Sequence, residues 1–374
     1  MRAHPPVRLG LIGAGYIAAV HVRAARGLQD QLRITAVADA YPLAAKALVE
    51  EQGHGVAYAD TATMLADEQL DGVLIATWPS SHLELMDTCI QAGIKYVLCE
   101  KPLALTGAQA LAAWRLAADS GAVITEAFMY RHHPALDTVD ALLASGALGR
   151  IDHVRASFTY MNPAVDHGYA PDDPNRPWRL QSDLGGGALY DIGTYTINAC
   201  AHVSGSAPLR VAAFGRPPNG YGTSDQTHAL VEYANGVIGL LEASEASCST
   251  QELCISGERG TLHLPYAWTI YDETEITIRR TPDPAHVDPD RHFRTLTDRY
   301  AVPRSNAFQD QLRHAAAVMR GEASPRVTLA ETVVNTLTME AILRSQAERA
   351  VVEVAVPDDV AAAYLGLAAP AAPT

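Results

Sequence analysis

Cysteine is scarce in this sequence, and its spacing gives no sign of the common cysteine-based sites. There are five cysteines, an odd number, and none forms a C-x-x-C pair. This pattern argues against a disulfide framework and a thiolate zinc site, and it is typical of reduced thiols in a cytoplasmic protein. His132, His133 and His202 lack the spacing of a metal-binding triad. We therefore expect no metal, and we interpret these histidines as packed or solvated.

Long apolar runs and positive charge are lacking as well. No uninterrupted apolar stretch reaches the ~18 residues of a membrane-spanning helix, and no apolar signal segment precedes the first predicted strand. Lys and Arg number 28 against 42 Asp and Glu, a formal net charge of -14. Such a surface repels phosphate backbones and anionic membranes. We expect no nucleic acid partner, no membrane partner and a cytoplasmic location.

The first third of the chain alternates short apolar runs with helical patterns. The apolar runs predict strands at 7–12, 34–38, 72–77, 96–99 and 123–126. The segments between them predict helices at 18–28, 44–51, 82–92 and 108–120. Strands that alternate with helices form a parallel, doubly wound sheet. The fold class is therefore α/β, with a Rossmann domain expected at residues 1–127.

In the remainder of the chain the alternation of strands and helices gives way to mainly strand-like runs, which predicts a second domain. With 374 residues, the chain exceeds the roughly 250–300 at which a single core stops growing. After a helix at 134–143 and before helices at 305–319 and 329–349, strand-like runs dominate, at 151–160, 209–214, 227–233, 237–243, 253–256, 260–264 and 275–279. We expect an α+β domain with a large, mostly antiparallel open sheet at 128–367, and a flexible Ala/Pro-rich tail at 368–374.

A glycine loop after the first predicted strand indicates a dinucleotide site. Gly13 and Gly15 form a G-x-G-x-x-A pattern that opens a helix through Tyr16 and Ile17, where backbone amides can meet a pyrophosphate. Asp39 ends the second strand, where an acid can bind the adenosine ribose hydroxyls. The alternatives are a glycine-rich turn without a ligand and a surface acid.

Two further motifs carry candidate chemistry. Glu100-Lys101-Pro102 directly follows a predicted parallel strand, at the edge where such folds bind ligands. Three glycines at 185–187 precede a helical stretch in which Asp191 and Tyr195 are four residues apart, so both project from one face. Alternatively, Lys101 is a surface residue, Asp191 a helix cap and Tyr195 a packed aromatic.

Together these motifs resemble the family of glucose-fructose oxidoreductase, inositol dehydrogenase and the rhizopine-catabolism proteins, written Gfo/Idh/MocA. The resemblance covers most of the chain and includes the segments 76–82 and 341–345. It implies that the glycine loop, Asp39 and Lys101 bind a nicotinamide dinucleotide together with Thr77, Trp78, Pro79, His82 and Glu100.

The segments 126–134, 178–180 and 191–195 are similar to one branch of that family, which contains dimeric dihydrodiol dehydrogenase, xylose dehydrogenase and glucose-fructose oxidoreductase. In that branch a tyrosine four residues after the aspartate does the acid–base work, whereas inositol dehydrogenases have a histidine near the position of Asn198. The resemblance implies Tyr195 as general acid and base, Lys101 as its assistant and Asp191 as an orienting group. The residues expected to line the substrate pocket are Tyr160, Arg176, Trp178, Arg179 and Asp191.

The function that this likeness implies is hydride transfer between a nicotinamide and a carbinol carbon of a sugar or cyclic polyol, with an aldose oxidised at C1 to a lactone as the first expectation. NAD is the expected cofactor because Asp39 would repel a 2′-phosphate and no basic residue directly follows it; NADP is the alternative. We expect the active site in the cleft between the domains, and a homodimer or homotetramer formed through the C-terminal sheet. A non-catalytic nucleotide-sensing regulator and a dinucleotide-dependent glycosidase without net redox change stay open.

Overall fold

The structure, a computed structural model, describes residues 4–163, 169, 173, 176–216, 220–270, 272–280 and 296–366. Its first sheet has six parallel strands: β1 (Val7–Ile12), β2 (Leu32–Ala38), β3 (Val56–Tyr58), β4 (Gly72–Ile75), β5 (Tyr96–Cys99) and β6 (Val123–Glu126). Their order is β3-β2-β1-β4-β5-β6. The strand order reverses between the neighbouring strands β1 and β4, as in a doubly wound fold, which confirms the predicted Rossmann architecture.

Helices connect these strands: α1 (Tyr16–Ala25), α2 (Pro42–Gln52), α3 (Thr61–Asp67), α4 (His82–Gln91) and α5 (Gly107–Ser120). Local chemistry sets their ends. Thr106 caps α5 by accepting a hydrogen bond from the backbone N–H of Gln109, and Gly121 ends that helix in the left-handed conformation with φ 68°. Asp60 caps α3 in the same way through the N–H of Thr63.

The second sheet comprises ten strands: β7 (Ile151–Met161), β8 (Pro208–Gly215), β9 (Gln226–Tyr233), β10 (Ile238–Ser244), β11 (Ala246–Thr250), β12 (Leu253–Gly257), β13 (Gly260–Leu264), β14 (Thr274–Arg280), β15 (Leu296–Val302) and β16 (Val352–Glu353). The order is β15-β14-β13-β12-β7-β10-β9-β8-β16, with β11 paired to β7. Only the pairing of β7 with β10 is parallel among the strands that the structure describes. The prediction of a mostly antiparallel sheet is confirmed.

Helices α6 (Pro134–Ala144), α7 (Thr194–Ser204), α8 (Ala307–Met319), α9 (Leu329–Glu348) and α10 (Asp358–Tyr364) complete the described elements. Helix α7 packs on one face of the second sheet, over β7 and β10. A Cβ on Gly239 of β10 would lie 3.2 Å from the Cβ of Cys200, so glycine lets the helix approach closely. Phe158 of β7 lies on the α7 face, and Arg155, three residues earlier, lies on the opposite face.

The chain divides into two compact units, residues 4–132 with 306–336, and residues 133–305 with 337–366. Helix α8 therefore belongs to the first unit. Its buried Leu312, Ala315 and Ala316 join the core formed by β1, β2 and α1. The continuous second domain expected for 128–367 is thus interrupted, because the apolar stripe of α8 covers α1. The predicted tail at 368–374 lies outside the described residues.

No helix in the described part of the chain combines the length and the apolar character needed to cross a bilayer.

Candidate active site

The glycine loop joins β1 to α1 and is built to let a ligand come close. Gly13 has φ 95°, a conformation that favours glycine, and an added Cβ would lie 2.6 Å from the carbonyl oxygen of Ala76. A Cβ on Gly15, by contrast, would meet nothing within 4 Å, so this glycine faces open space. Gly15 is the N-cap of α1 and has no side chain to satisfy the first amides of the helix. The loop thus presents backbone N–H groups to an anion.

Asp39 is fixed beside this loop by two backbone hydrogen bonds. Its Oδ2 accepts from the N–H of Ala14 at 2.6 Å, and its Oδ1 accepts from the N–H of Tyr41 at 2.7 Å. Each carboxylate oxygen keeps a second lone pair, so the group can still accept from a diol. The structure therefore places a negative charge next to the glycine loop, as the sequence predicts.

The segment after β4 carries the next group of predicted cofactor residues. Thr77 Oγ1 lies 2.8 Å from Ser81 Oγ, and a 3-10 turn at Pro79–Ser81 leads into α4. Trp78 is 53% exposed at this turn, and Tyr16 at the start of α1 is 82% exposed. Both aromatic side chains are available to a ligand, while Ile17 is half-buried and Pro79 is buried.

His82 is buried and connects this segment to the loop after β5. Its Nε2 lies 3.2 Å from the carbonyl oxygen of Thr77, and its Nδ1 lies 3.1 Å from that of Pro102 and 3.3 Å from that of Leu103. Burial lowers the pKa of the imidazole, although these carbonyls act in the opposite direction. The side chain faces the interior, so its contribution at this edge is to hold two loops together.

Glu100 is also buried, and it links the loop after β5 to α1. Its Oε1 lies 2.8 Å from Nε2 of His21, and its Oε2 accepts from the N–H of Lys101. Glu126, at the end of β6, accepts from the N–H of Leu103 at 2.9 Å. The backbone at and directly after the half-buried Lys101 is thus fixed by the carboxyl groups of Glu100 and Glu126.

These residues share one edge of the first sheet. The loop residues that follow β1, β4 and β5 donate backbone hydrogen bonds to the last residues of neighbouring strands: Gly13 to Ala38, Glu100 to Ile75. Ala76 likewise donates to Ile12. The glycine loop, Asp39, Thr77 and Lys101 therefore all lie at the carboxyl ends of the parallel strands, where open α/β sheets bind their ligands.

In the second unit, the glycine run shapes the approach to α7. A Cβ on Gly186 would lie 2.5 Å from the carbonyl oxygen of Arg179, and the N–H of Gly187 donates to that same oxygen. A π-helical turn at Leu189–Gly193 then leads into α7. The glycines therefore bring the backbone at Arg179 against the turn that carries Asp191.

Asp191 is the centre of a polar cluster. Its side chain is 4% exposed, and its Oδ2 accepts from Arg179 Nε at 2.8 Å and from the hydroxyl of Tyr160 at 3.1 Å. The Arg179 guanidinium also lies over the ring of Trp178, 4.6 Å from its centroid. Four predicted substrate residues, all except Arg176, are thus brought together. Arg176 is half-buried, and its carbonyl accepts from Gln181.

The electrostatics of this cluster keep Tyr160 protonated and Arg179 charged. Burial raises the pKa of the Tyr160 phenol well above its usual value, and the charge of Asp191 raises it further. Burial acts to lower the pKa of Arg179, but the carboxylate of Asp191 outweighs it and the net direction is upward. Tyr160 is therefore a hydrogen-bond donor here and a poor base.

Tyr195 lies one helical turn after Asp191 and faces the same strand. Its ring contacts Phe158 of β7 at 5.5 Å and Trp268 at 6.2 Å between centroids, and the residue is 6% exposed. Since Asp191 contacts Tyr160, two residues beyond Phe158 on β7, both side chains point toward one face of the sheet. Asn198 is buried in α7, and His202 pairs with Asp140 at 2.8 Å, as expected for a packed histidine.

Comparison with known proteins places both parts of the chain in one family. Residues 7–128 match a model described as an oxidoreductase family with an NAD-binding Rossmann fold, and residues 136–263 match the GFO/IDH/MocA C-terminal domain. An uncharacterised oxidoreductase from Rhizobium meliloti is 30% identical over 73% of this chain and 79% of its own. The chain belongs to the Gfo/Idh/MocA family of oxidoreductases.

Individual Gfo/Idh/MocA relatives act on sugars. A D-xylose 1-dehydrogenase (NADP(+)) from Haloferax volcanii is 29% identical over 90% of this chain and 93% of its own. A crystal structure of a 3-ketoreductase from Actinomadura kijaniata, in complex with NADP and TDP-benzene, superimposes with a TM-score of 0.78 at 25% identity, covering 91% of this chain and 98% of that one. The protein is therefore an oxidoreductase of a family with an NAD-binding Rossmann fold, and similar proteins of this family are named as dehydrogenases and reductases.

Proposed function

We propose that this protein transfers a hydride between a nicotinamide and a ring carbinol carbon of a sugar-like substrate, with Tyr195 as the proton carrier. The observation that carries the proposal is the position of Tyr195 beside a buried Asp191, on the same face of β7 as Tyr160. A phenol next to a fixed polar cluster suits a hydroxylated substrate that must be oriented and deprotonated.

The residues at the edge of the first sheet fit a dinucleotide. Gly13 leaves no space for a side chain, Gly15 opens onto free space at the start of α1, and Asp39 is fixed beside them. The amides at the start of α1 would hold the pyrophosphate and Asp39 the adenosine ribose. The nicotinamide, when bound, supplies the hydride acceptance and donation, and the protein supplies orientation and proton transfer.

Tyr160 and Tyr195 both lie near Asp191, and their surroundings favour different roles. The hydroxyl of Tyr160 donates to Asp191 and is held as a neutral phenol. Tyr195 packs its ring against both Phe158 and Trp268, which fixes its direction. We therefore assign proton exchange with the substrate hydroxyl to Tyr195 Oη, and we assign to Asp191 the positioning of Arg179, Tyr160 and the substrate.

Lys101 is proposed to act on the same substrate oxygen. Its ammonium would favour the phenolate of Tyr195 and donate a hydrogen bond to the reacting oxygen. His21 and Glu100 act through it as positioning residues, because Glu100 accepts from the Lys101 backbone while it pairs with His21.

We propose an aldose oxidised at C1 as the first substrate class. The polar lining of Tyr160, Arg179 and Asp191 suits a polyhydroxylated ring, and a similar protein is a xylose 1-dehydrogenase. Reduced nicotinamide formation should therefore be assayed over a panel of aldoses, inositols and dihydrodiols with both cofactors. Release of an aglycone without net nicotinamide reduction would instead support the glycosidase.

The proton carrier is tested by Tyr195→Phe, which keeps the ring and removes the hydroxyl. We expect kcat to fall by about 10²–10⁴, the usual contribution of general acid–base catalysis, with dinucleotide binding little changed. Lys101→Met should also reduce kcat, and the residual activity should have a more alkaline optimum because the phenol loses a stabilising charge. Tyr190→Phe, in the turn before α7, is the matched control and should keep kcat. Near-full activity of Tyr195→Phe would refute the assignment.

We further propose that NAD is preferred over NADP. The carboxylate of Asp39, fixed by Ala14 and Tyr41, would repel a 2′-phosphate. The ratio of kcat/KM for the two cofactors should favour NAD, and Asp39→Ala should narrow the ratio. A clear preference of the unmodified enzyme for NADP, as the name of the Haloferax volcanii relative indicates for that protein, would overturn this proposal.

The assembly is proposed to be a homodimer or homotetramer paired through the second sheet. On the face opposite α7, Phe214 is 77% exposed and Leu230 is 50% exposed, an apolar surface that a second copy would cover. Light scattering after size exclusion should show an oligomer that Phe214→Asp dissociates. The control Leu43→Asp, at an 82% exposed position of α2, should leave the mass unchanged. A monomeric unmodified protein would refute this assembly.

A further inference from the structure

Three side chains with metal-binding atoms meet on the second sheet, on the face opposite α7. Glu252 directly precedes β12, Cys254 is the second residue of β12, and His263 lies on β13. One carboxylate oxygen, the thiol sulfur and one imidazole nitrogen all lie within 4.8 Å of one another. No other group of this kind, with three or more ligands, is found among the residues that the structure describes.

The hairpin between β12 and β13 creates this arrangement. Cys254 is directly opposite His263 in the antiparallel register, and Glu252 precedes Cys254 by two residues, so the three side chains project from one face. Their chain separation resembles no common metal motif, because the third ligand arrives through strand pairing. The sequence-based expectation of no metal did not consider such a cross-strand group.

Arg155 orients the carboxylate within this group. It lies on β7, the neighbour of β12 on the side away from β13, and it is directly opposite Cys254. Its Nη2 donates to Glu252 Oε2 at 3.5 Å and to Cys254 Sγ at 3.4 Å. The other carboxylate oxygen, Oε1, is directed toward His263 Nε2 at 3.9 Å. The guanidinium thus acts as an outer partner that leaves one oxygen, the sulfur and the nitrogen facing each other.

The spacing of these atoms suits a cation better than direct hydrogen bonds. A separation of 3.9 Å between Glu252 Oε1 and His263 Nε2 is too long for a hydrogen bond. Two ligands of a tetrahedral zinc ion, with bonds of about 2.0–2.3 Å, lie roughly 3.3–3.6 Å apart. Binding would therefore draw the three atoms together from separations of up to 4.8 Å.

The group is open to solvent in the single chain, and β7 and β10 separate it from Phe214 and Leu230, against which the proposed second copy would pack. Glu252 and His263 side chains are each 36% exposed, and the group lines a cavity of about 460 Å³ together with His153, Ser256 and Thr261. A hydrated ion can therefore reach the three ligands and keep water in a fourth position.

We propose that Glu252, Cys254 and His263 form a binding site for a zinc-class divalent ion. Carboxylate, thiolate and imidazole are the three ligand types that zinc accepts, and cysteine binds it as the thiolate, so binding releases the thiol proton to the buffer. The ion would tie β12 to β13 across the hairpin. The site lies on the face of β7 opposite Tyr195, and it therefore stabilises the sheet and takes no part in proton transfer.

Titration of the metal-free full-length protein with Zn²⁺ and with Co²⁺ tests this site. Calorimetry should give one Zn²⁺ per chain with proton release, and Co²⁺ should give a thiolate-to-metal charge-transfer band. Cys254→Ser, His263→Ala and Glu252→Gln should each weaken Zn²⁺ binding by more than the ~10–100-fold that loss of an outer partner costs. Zn²⁺ should also raise the thermal unfolding midpoint of the unmodified protein.

Matched controls come from the same sheet. Cys248→Ser removes an exposed cysteine on β11, and His228→Ala removes a histidine on β9; both should bind Zn²⁺ as the unmodified protein does. Alkylation of Cys254 in the Cys248→Ser background should abolish the cobalt band without any backbone substitution. Absence of Zn²⁺ binding, or a Cys254→Ser protein that binds with unchanged affinity, would overturn the proposal. Because no substrate or cofactor is present, these results are independent of the oxidoreductase assays.

Discussion

Glu126 makes the stability of the first unit depend on pH. The carboxyl is 1% exposed at the end of β6, and burial raises its pKa to about 8, with a smaller contribution from the charges of Glu331 and Glu100. The hydrogen bond from the N–H of Leu103 acts against this rise but does not overcome it. In the folded protein at pH 7 the carboxyl therefore holds its proton.

The sign and size of this pH effect follow from the difference between the pKa of Glu126 in the folded and in the unfolded state. In the unfolded chain this carboxyl titrates near 4.5, so between pH 5 and 8 the folded state binds more protons than the unfolded state. The contribution of Glu126 to the free energy of unfolding is therefore greatest at the low end of this window. It falls as pH rises, by about 1.4 kcal/mol per pH unit and by roughly 3–4 kcal/mol over the window. Glu126→Gln keeps an oxygen that accepts from Leu103 and removes the titration.

Urea denaturation at several pH values between 5 and 8, followed by circular dichroism, measures this effect. The free energies of unfolding of Glu126→Gln and the unmodified protein should be similar at pH 5, and the variant should gain a growing advantage toward pH 8. Asp60→Asn is a control, because the N–H of Thr63 lowers the pKa of Asp60 from its usual 3.8, so its stability deficit should stay constant between pH 5 and 8 and shrink only at pH values below that pKa. Parallel pH profiles for Glu126→Gln and the unmodified protein would refute the reasoning.

Two further substitutions test packing, one at the Asp191 cluster and one in the core of the first unit. Arg179→Met should cost about 2–3 kcal/mol of unfolding free energy, because Asp191 stays buried and loses its cationic partner, and adding Asp191→Asn should recover most of that loss. Leu312→Ala should cost about 2–5 kcal/mol by leaving a cavity in the first unit, whereas Arg313→Ala on the exposed side of α8 should cost far less. Equal losses from the two α8 variants would contradict the assignment of α8 to that core.

Strong periodic segments of the fold could be predicted from the sequence. The bounds of β1, β5, β6 and β13 agree with the predicted ones, because each is an apolar run closed by glycine, proline or charged residues. The short elements β3 and α3 were missed, since segments of three and seven residues carry too little periodicity. Strand β11, with the sequence ASCST, was missed for the same reason.

Much of the candidate site could also be predicted. The carboxyl ends of parallel strands meet at one edge of the sheet, so the glycine loop, Asp39 and Lys101 were expected at that edge. What the sequence could not predict depends on long-range pairing. The contacts of Asp191 with Arg179 and Tyr160 join residues from separate segments of the second unit, and no local sequence pattern predicts them. The interior positions of His82 and Glu100 likewise depend on tertiary contacts.

Helix α8 belongs to the first unit but is synthesised late, and this affects folding during synthesis. The six strands of the Rossmann sheet are complete by Glu126, but their core still lacks Leu312, Ala315 and Ala316. Those residues leave the ribosome only after nearly the whole second sheet has been synthesised. At about 5–20 residues per second, the apolar surface of α1 that α8 covers stays open for roughly 10–40 seconds. The core of the first unit is therefore complete only after this delay, and a gene fragment that ends near residue 132 would leave the apolar surface of α1 without its covering helix.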